Sequence, residues 1–251
     1  MTLNILHLYP KEMNLYGDHG NILAIKRRCE WRGIKTNIIH YEPGDEIPDD
    51  IDIIFGGGGQ DSGQGKIEAD LQKIAPKLKD FVERETPTLV ICGIYQLFGH
   101  YFKTSEGKKI EGTKILNLKT VAGDTRLIGN ITISTPEFGE VVGYENHSGL
   151  TYLGEDMQAF GTVITGAGNN GKDMTEGVKY KNCIGTYLHG PLLPKNPRVT
   201  DFLILKALEN KTGKSQKLEV LNDRIEQRAH KVAVSRPRLK IPPIGGYFFI
   251  S

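Results

Sequence analysis

Cysteine is scarce in this sequence, and its spacing excludes two of its common roles. The 251 residues include Cys29, Cys92 and Cys183, with no Cys-x-x-Cys pair. Three scattered cysteines are too few for a disulfide framework, and they lack the spacing of a thiolate zinc site. We therefore expect reduced thiols and no metal centre, which leaves catalysis by a thiol as the cysteine chemistry to consider.

The sequence also lacks a strong charge bias and a long apolar run. Lys and Arg number 32 against 30 for Asp and Glu, and no basic tract with interleaved aromatic residues occurs, so we expect no nucleic-acid partner. No segment reaches the roughly 18 consecutive apolar residues of a membrane span. The first residues, MTLNILHLYPKEMN, have neither the charged leader nor the apolar run of a signal peptide. A cytoplasmic protein that does not span a membrane is the expectation.

Short apolar runs alternate with amphipathic segments, which predicts an α/β fold in which helices flank a mostly parallel central sheet. The predicted strands are 3–9, 35–41, 51–55, 88–91 and 182–188, and the predicted helices are 20–32, 66–85, 197–210 and 216–230. Between about 115 and 142, short strands separated by Gly, Thr and Ser predict added antiparallel strands. The polar clusters at 145–149 and 166–171 are expected to be loops. We expect one domain over residues 1–230 and an irregular tail over 231–251.

A candidate nucleophile lies at one junction between a strand and a helix. The buried-strand pattern of Thr88–Ile91 ends at Cys92, and Gly93 opens a helical pattern. A side chain on such a turn is pushed clear of the sheet. The N–H groups that begin the helix, that of Gly93 included, can stabilise an oxyanion or a thiolate. The alternative is a buried cysteine that merely ends a core strand.

Four successive glycines, Gly56–Gly59, follow the third predicted strand. A phosphate-binding loop is considered first, because a Gly-Lys pair lies nearby. The pattern GxxxxGK[ST] fails, since Gln60 stands at its first glycine and Ile67 follows the lysine. The remaining interpretations are a flexible turn, or a loop in which Gly57 and Gly58 offer backbone N–H groups to an oxyanion near the candidate nucleophile.

Three further side chains complete the candidate site. The strand predicted at 182–188 delivers His189 to a Gly-Pro turn, and a Cys–His pair at neighbouring strand ends suits acyl transfer from an amide. Asp18 lies in the turn-rich loop after the first strand, where it is either a site residue or a helix cap. Arg126 either forms bidentate hydrogen bonds with a carboxylate or is an ordinary surface arginine.

The motifs of the chain resemble those of the class I glutamine amidotransferases, and within them the cobyric-acid-synthase-like branch. The resemblance covers about residues 3 to 210 and rests on IFGGGGQD (54–61), CGIYQ (92–96) and GTYLHGPLLPKNP (185–197), with NLYGDHGN, ENHSG and GAGNN in support. It implies a flavodoxin-like central sheet with added antiparallel strands. The supporting motifs and the LHGPLLPKNP block are similar to those of the glutaminase subunits of bacterial lipid II isoglutaminyl synthases.

This resemblance implies a function and a set of roles. Cys92 and His189 are the expected catalytic pair, which releases ammonia from glutamine, and Arg126 is expected to bind that glutamine. The ammonia is expected to pass to a Mur-ligase-like (MurT-type) partner in a heterodimer. That partner is expected to use ATP and Mg²⁺ to amidate the α-carboxyl of D-glutamate in lipid II to D-isoglutamine, a step of peptidoglycan synthesis. No cofactor is expected in this chain itself.

Two departures from the family pattern bear on the site. Val90 and Ile94 occupy the glycine positions of the usual GxCxG elbow, and Ile94 is expected to make the glutamine pocket smaller. No glutamate stands two residues after His189, so the pair works as a dyad or takes a third member from elsewhere, with Asp18 or a residue of the partner as candidates. The alternative functions are a stand-alone cysteine hydrolase or peptidase, and a non-catalytic regulatory subunit.

Overall fold

The computed structural model describes residues 1–236, except for the side chains of Tyr16, Asp61 and Ser62. Its strands are β1 (Thr2–Leu8), β2 (Lys35–Tyr41), β3 (Ile53–Gly56), β4 (Thr88–Ile91), β5 (Tyr101–Lys103), β6 (Lys109–Glu111), β7 (Leu118–Thr135), β8 (Gly139–Leu153), β9 (Gly161–Thr165), β10 (Thr175–Glu176), β11 (Val178–Tyr180) and β12 (Cys183–Thr186). Its helices are α1 (His19–Glu30), α2 (Asp61–Glu83), α3 (Gly93–Phe98), α4 (Pro197–Thr212) and α5 (Arg224–Ser235). None of these helices is both long and apolar enough to cross a membrane.

The central sheet has six strands in the order β11-β12-β4-β3-β1-β2, and its pairs are parallel apart from β11 with β12. β3 and β4 are buried along their whole length, because their apolar side chains pack on both faces of the sheet. Burying each such aliphatic side chain contributes about 1.5–3 kcal/mol. The prediction of an α/β fold with a largely parallel sheet is confirmed.

The strand order decides which loops meet. β4 lies between β3 and β12, so the segments after these three strands emerge side by side at the carboxyl edge of the sheet. Those segments carry the glycine run, Cys92 and His189. β1 pairs with β3 on its other side, and the loop after β1 carries Asp18. This is the edge at which open α/β sheets bind ligands.

Most of the antiparallel strands form a second sheet. Its order is β10-β9-β7-β5-β6, and β8 pairs with β7. The short strands predicted over 115–142 are wrong in detail, because β7 is one 18-residue strand that pairs with β8 across a register shift between Ala122 and Leu127. The cluster 145–149, predicted to be a loop, lies inside β8, where alternate residues are buried. The cluster 166–171 forms turns, as predicted.

Two predicted boundaries near the site differ from the structure. α2 begins at Asp61 rather than at residue 66, so the segment after the glycine run is helical. β12 ends at Thr186 rather than at residue 188, because the N–H groups of Tyr187 and Leu188 donate to the side chains of Glu176 and Thr186 and not to a neighbouring strand. The chain therefore leaves the sheet before it reaches the histidine.

The last helix also lies later in the chain than predicted. Residues 214–223 are irregular, and α5 spans Arg224–Ser235. The reason is that Arg28 holds the Asp223 carboxylate (2.5 Å) and Arg32 donates to the carbonyl of Glu219 (2.8 Å), which pins this stretch to α1. The tail predicted to be irregular over 231–251 thus begins as helix, and its residues 237–251 lie outside the described residues.

Candidate active site

Cys92 occupies a strained turn between β4 and α3. Its φ of +48° and ψ of −102° lie in a region that residues other than glycine rarely adopt. Its N–H donates to the carbonyl of Thr186 at the end of β12 (2.9 Å), and its carbonyl accepts from the N–H of Gln96 (2.9 Å). The predicted strand-to-helix turn is confirmed. Cys29 and Cys183, by contrast, lie in the core, where burial raises the pKa of both thiols to about 12.

His189 and Asp18 form a buried pair beside this turn. Nδ1 of His189 lies 3.1 Å from Oδ1 and 3.2 Å from Oδ2 of Asp18, and neither side chain is exposed. Backbone hydrogen bonds in both directions tie His189 to Tyr144 of β8. The Asp18 carboxylate makes no cap hydrogen bond to α1 and instead accepts from the N–H of Gly58 (2.7 Å). The helix-cap interpretation of Asp18 is therefore wrong.

The surroundings of His189 favour its charged form. Burial alone would lower the pKa of its imidazole, but the hydrogen bonds and charge attractions of Asp18 and Cys92 outweigh burial and raise that pKa to about 10. An imidazolium beside a cysteine stabilises the thiolate, which is its nucleophilic form. The three side chains together can therefore attack a carboxamide carbon and give a proton to the departing nitrogen.

Gly58 lies at the centre of these three residues. A Cβ at position 58 would stand 2.7 Å from Cε1 of His189, 3.1 Å from Oδ2 of Asp18 and 3.3 Å from Cβ of Cys92. Any side chain here would push the three groups apart, so the arrangement requires glycine. Because the N–H of Gly58 is bound to Asp18, the predicted use of Gly58 as an oxyanion donor does not hold in this structure.

The other glycines of the run differ in their surroundings. Gly57 packs against the backbone of Met13 and is not among the described residues of the cavity beside the nucleophile. The backbone nitrogen of Gly59 would lie 3.0 Å from a Cβ placed on Gly93, so these two glycines meet beside Cys92. Gly93 thus lies where the sequence placed it. The sequence offered the run 56–59 as a source of N–H groups and singled out Gly57 and Gly58, because identical glycines in a row carry no signal that separates them.

Ile94 does not enter the cavity. Its side chain is fully buried, and its Cγ2 would lie 2.7 Å from a Cβ placed on Gly56 of β3. The glycine that the family elbow usually has at this position is therefore replaced by a larger residue that packs over a glycine of the neighbouring strand. The expectation that Ile94 makes the glutamine pocket smaller is wrong, because its side chain points to the sheet.

A cavity of about 340 Å³ opens beside Cys92, with walls from the glycine run, α2 and the β7–β8 pair. Arg126 lines it from within β7, at the register shift and not at a strand start as predicted. Its guanidinium donates to the side-chain oxygen (2.5 Å) and the carbonyl (3.3 Å) of Asn146. Another cavity, of about 350 Å³, lies between β8, α4 and α5 and has none of the predicted site residues among its described walls.

A chain of hydrogen-bonded side chains, missed in the sequence, runs through the wall of the cavity beside Cys92. Nε2 of Gln64 donates to Oε1 of Gln96 (2.8 Å), and Nε2 of Gln96 donates to the hydroxyl of Tyr187 (3.1 Å). The hydroxyls of Thr151 and Thr120 continue the chain. Both glutamines stand in helices, where the sequence does not separate a buried amide from an exposed one.

The known proteins to which this chain is similar are glutamine amidotransferases and glutamine-hydrolysing subunits. The model of the CobB/CobQ-like glutamine amidotransferase domain matches residues 4–197. Lipid II isoglutaminyl synthase (glutamine-hydrolyzing) subunit GatD of Staphylococcus aureus (strain N315) is 42% identical over 93% of this chain and 96% of its own length. The subunit of the same name from Streptococcus pneumoniae (strain ATCC BAA-255 / R6) is 38% identical over 90% of this chain and 88% of its own.

Solved structures agree at the level of the fold. A glutamine amidotransferase structure aligns with a TM-score of 0.58 at 14% identity, over 81% of this chain and 98% of that one. A glutamine amidotransferase of Thermotoga maritima aligns with a TM-score of 0.52 at 15% identity, over 92% of this chain and 93% of that one. Because the domain model covers most of the sequence and two relatives align along nearly all of it, this chain belongs to the CobB/CobQ-like class I glutamine amidotransferases.

Proposed function

We propose that this chain is the glutamine-hydrolysing subunit of a lipid II isoglutaminyl synthase. The observation that carries the proposal is the convergence of Cys92, His189 and Asp18 around Gly58, beside a cavity that Arg126 lines. The names of both relatives specify glutamine hydrolysis and this synthase. The alignments span nearly the whole of each relative. The proposal therefore rests on similarity to complete subunits and not to a shared fragment.

The hydrolytic half of the reaction uses groups of this chain. The Cys92 thiolate attacks the carboxamide carbon of glutamine, a C–S bond forms, and the oxyanion accepts from the N–H groups of Gly93 and Gly59. The His189 imidazolium gives its proton to the nitrogen, the C–N bond breaks, and ammonia leaves a γ-glutamyl thioester. The neutral imidazole then takes a proton from water as the water attacks the thioester. Glutamate leaves, and the thiolate and imidazolium are restored. Asp18 orients the ring throughout and stabilises it whenever it carries the second proton.

Arg126 supplies the recognition of the substrate carboxylate. Its planar guanidinium forms a bidentate fork with a carboxylate, which a lysine cannot do. Asn146 orients the guanidinium from one side in the wall of the cavity. Because Arg126 and Cys92 line the same cavity, a glutamine held by its α-carboxylate can extend its side chain to the nucleophile.

The released ammonia serves a second subunit. Forming an amide from a carboxylate requires activation of that carboxylate, and both relatives are named as subunits of a synthase. A Mur-ligase-like (MurT-type) partner therefore binds ATP, Mg²⁺ and lipid II, and hydrolysis in this chain needs no cofactor. Glutamine and ATP are both cytoplasmic metabolites, so the heterodimer works in the cytoplasm.

The test measures glutamate release and lipid II amidation by the purified chain, with and without the partner and ATP. Cys92→Ala should abolish both activities, whereas Cys29→Ala should keep them. Amidation should require the partner and ATP. Glutamine hydrolysis that survives in Cys92→Ala, or ATP-dependent amidation by this chain alone, would overturn the proposal. Peptide cleavage without a partner would instead indicate a stand-alone hydrolase, and no turnover in any arm would indicate a regulatory subunit.

A further inference from the structure

The wall of the cavity beside Cys92 contains two buried acceptors with no partner among the described residues. They are Oε1 of Gln64 and Nε2 of His147, whose Nδ1–H donates to the carbonyl of Gly149. Gln64, near the start of α2, is 1% exposed, and its Oε1 makes no hydrogen bond with the described part of the chain. The other end of the amide is engaged, because Nε2 donates to Oε1 of Gln96 (2.8 Å). Gln64 lines the cavity that contains Cys92. A buried amide oxygen without a donor is unfavourable, so in a pocket wall it points to a donor on the ligand.

The hydrogen-bond chain sets the orientation of this amide. Gln96 is held from its far end, because its Nε2 donates to the hydroxyl of Tyr187 (3.1 Å), which lies 2.6 Å from the hydroxyl of Thr151. With Gln96 so placed, its Oε1 faces Gln64. Turning the Gln64 amide over would bring two carbonyl oxygens together, which is repulsive. Oε1 of Gln64 is therefore directed away from Gln96.

The charges of the cavity show which part of a glutamine molecule needs this acceptor. A free glutamine carries an α-carboxylate and an α-ammonium group. Arg126 is the cation among the described residues of the wall, and it suits the carboxylate. The ammonium group has three N–H donors, and the described wall offers no carboxylate side chain to accept from them. A neutral acceptor has to do so, and the buried candidates without a partner among the described residues are Oε1 of Gln64 and Nε2 of His147.

We propose that Oε1 of Gln64 accepts a hydrogen bond from the α-ammonium group of L-glutamine. This inference rests on the proposed glutaminase function and deepens it, because it assigns the recognition of the amino group. Arg126 and Gln64 together hold both α-substituents, which positions the carboxamide at Cys92. The pocket then selects a free α-amino acid over a carboxamide that lacks the amino group.

Gln64 also packs beneath the nucleophile turn, and this contact has to be separated from ligand binding. Its Nε2 would lie 3.0 Å from a Cβ placed on Gly93. A residue that only supported Gly93 would affect every substrate equally, because attack by Cys92 is common to all of them. A residue that binds the ammonium group affects only substrates that carry one.

The experiment therefore compares L-glutamine with glutaramate, which has the same carboxamide and carboxylate but no amino group. The ratio of kcat/KM for the two substrates is measured with the full chain and its partner. Gln64→Met should lower kcat/KM for L-glutamine about 10- to 100-fold and change that for glutaramate by less than about threefold. Gln64→Asn, which keeps the amide but withdraws it by one methylene, should also weaken the preference for L-glutamine. The control is Gln72→Met on the exposed face of the same helix, which should match the wild type.

Several outcomes would overturn the inference. An equal loss for both substrates in Gln64→Met would assign Gln64 to support of the turn. A preference that survives in Gln64→Met but disappears in His147→Phe would assign the ammonium group to Nε2 of His147. If thermal unfolding shows that Gln64→Met does not fold, Gln64→Asn decides, because a preference for L-glutamine equal to that of the wild type contradicts the inference. A wild-type complex that releases no ammonia from glutamine overturns the proposed function, and the inference with it.

Discussion

The carboxylate of Asp18 lies 3.1 Å from Nδ1 of His189, although 171 positions separate the two residues in the chain. Both side chains are fully buried, and the N–H of Gly58 holds the carboxylate from another direction. A carboxylate on Nδ1 orients an imidazole and stabilises its charged form. We infer that Asp18 does what a glutamate two residues after the histidine usually does in this family. Of the alternatives that the sequence left open, the geometry therefore favours Asp18 as the third member over a dyad.

Asp18→Asn should lower kcat for glutamine hydrolysis by about 10²- to 10⁴-fold and change KM little. Asparagine keeps the shape of the side chain but removes its charge, so the opposing effect of burial should lower the pKa of His189. Steady-state kinetics and an NMR titration of the imidazole measure both effects. Asp49→Asn, at an exposed carboxylate paired with Lys77, is the control. An unchanged kcat would assign orientation of His189 to a residue of the partner.

Gly58→Ala should remove nearly all glutaminase activity, because its Cβ would stand 2.7 Å from Cε1 of His189. Displacing a catalytic group by about 1 Å costs on the order of 100-fold in rate. Gly65→Ala on α2 is the matched control, since the nearest atom to its Cβ is 3.7 Å away. That variant should keep its activity and gain up to about 1 kcal/mol in stability from helix propensity. The checks are kcat and thermal unfolding. Full activity in Gly58→Ala would show that the loop can move to accommodate the new Cβ without displacing His189.

Arg126→Lys should raise KM for glutamine by about tenfold or more while kcat stays near that of the wild type, because a lysine cannot form the bidentate fork. Arg27→Lys, at a surface arginine paired with Glu30, is the control and should leave both parameters unchanged. Initial rates over a range of glutamine concentrations provide the measurement. If Arg126→Ala has the wild-type KM, the α-carboxylate is bound elsewhere.

Ile94→Gly should destabilise the fold by about 3–5 kcal/mol, because it removes a fully buried side chain and places glycine in a helix. Ile94→Val, with one methyl less, should cost only about 0.5–1.5 kcal/mol. Adding Gly56→Ala should partly restore the Ile94→Gly variant and should destabilise the wild type, where the new Cβ meets Cγ2 of Ile94 at 2.7 Å. Urea unfolding measures the wild type and all four variants. Additive effects would show that the two positions do not share this space.

Glu176 should make the stability of the protein depend on pH. Burial raises the pKa of its carboxyl to about 8, although Tyr187 and Thr186 donate hydrogen bonds to it. The folded chain therefore keeps a proton that the unfolded chain releases near pH 4.5. The free energy of unfolding should fall by up to a few kcal/mol as the pH rises from about 4.5 to about 8.

Glu176→Gln tests this effect, because glutamine does not titrate. Urea unfolding of both proteins at about pH 5 and about pH 9 should show the wild type losing stability relative to the variant as the pH rises. A difference between the two proteins that stays constant over this range would contradict a buried carboxyl with a raised pKa.

Some of the site could be predicted because its signals are local. A β-branched apolar run that passes through cysteine and glycine into a helical pattern indicates a strand-to-helix turn within a dozen residues, and Cys92 lies on that turn. Ile94 shows where local pattern misleads. Its position in the elbow motif suggested contact with the pocket, yet its side chain packs over Gly56 of β3. The residues next to Ile94 in the sequence give no sign of this contact.

By itself, the sequence determined the alternation of strands and helices, the turn at Cys92 and the family, because backbone preference, burial periodicity and motif spacing act over short stretches of chain. Only the tertiary structure decided that the Asp18 carboxylate meets His189 and does not cap α1, that Arg126 reaches the cavity from inside β7, and that the buried amide of Gln64 lies in the cavity wall. These roles follow from strand order, a register shift and a network of buried amides. Such features arise from packing between distant segments, to which no local pattern corresponds.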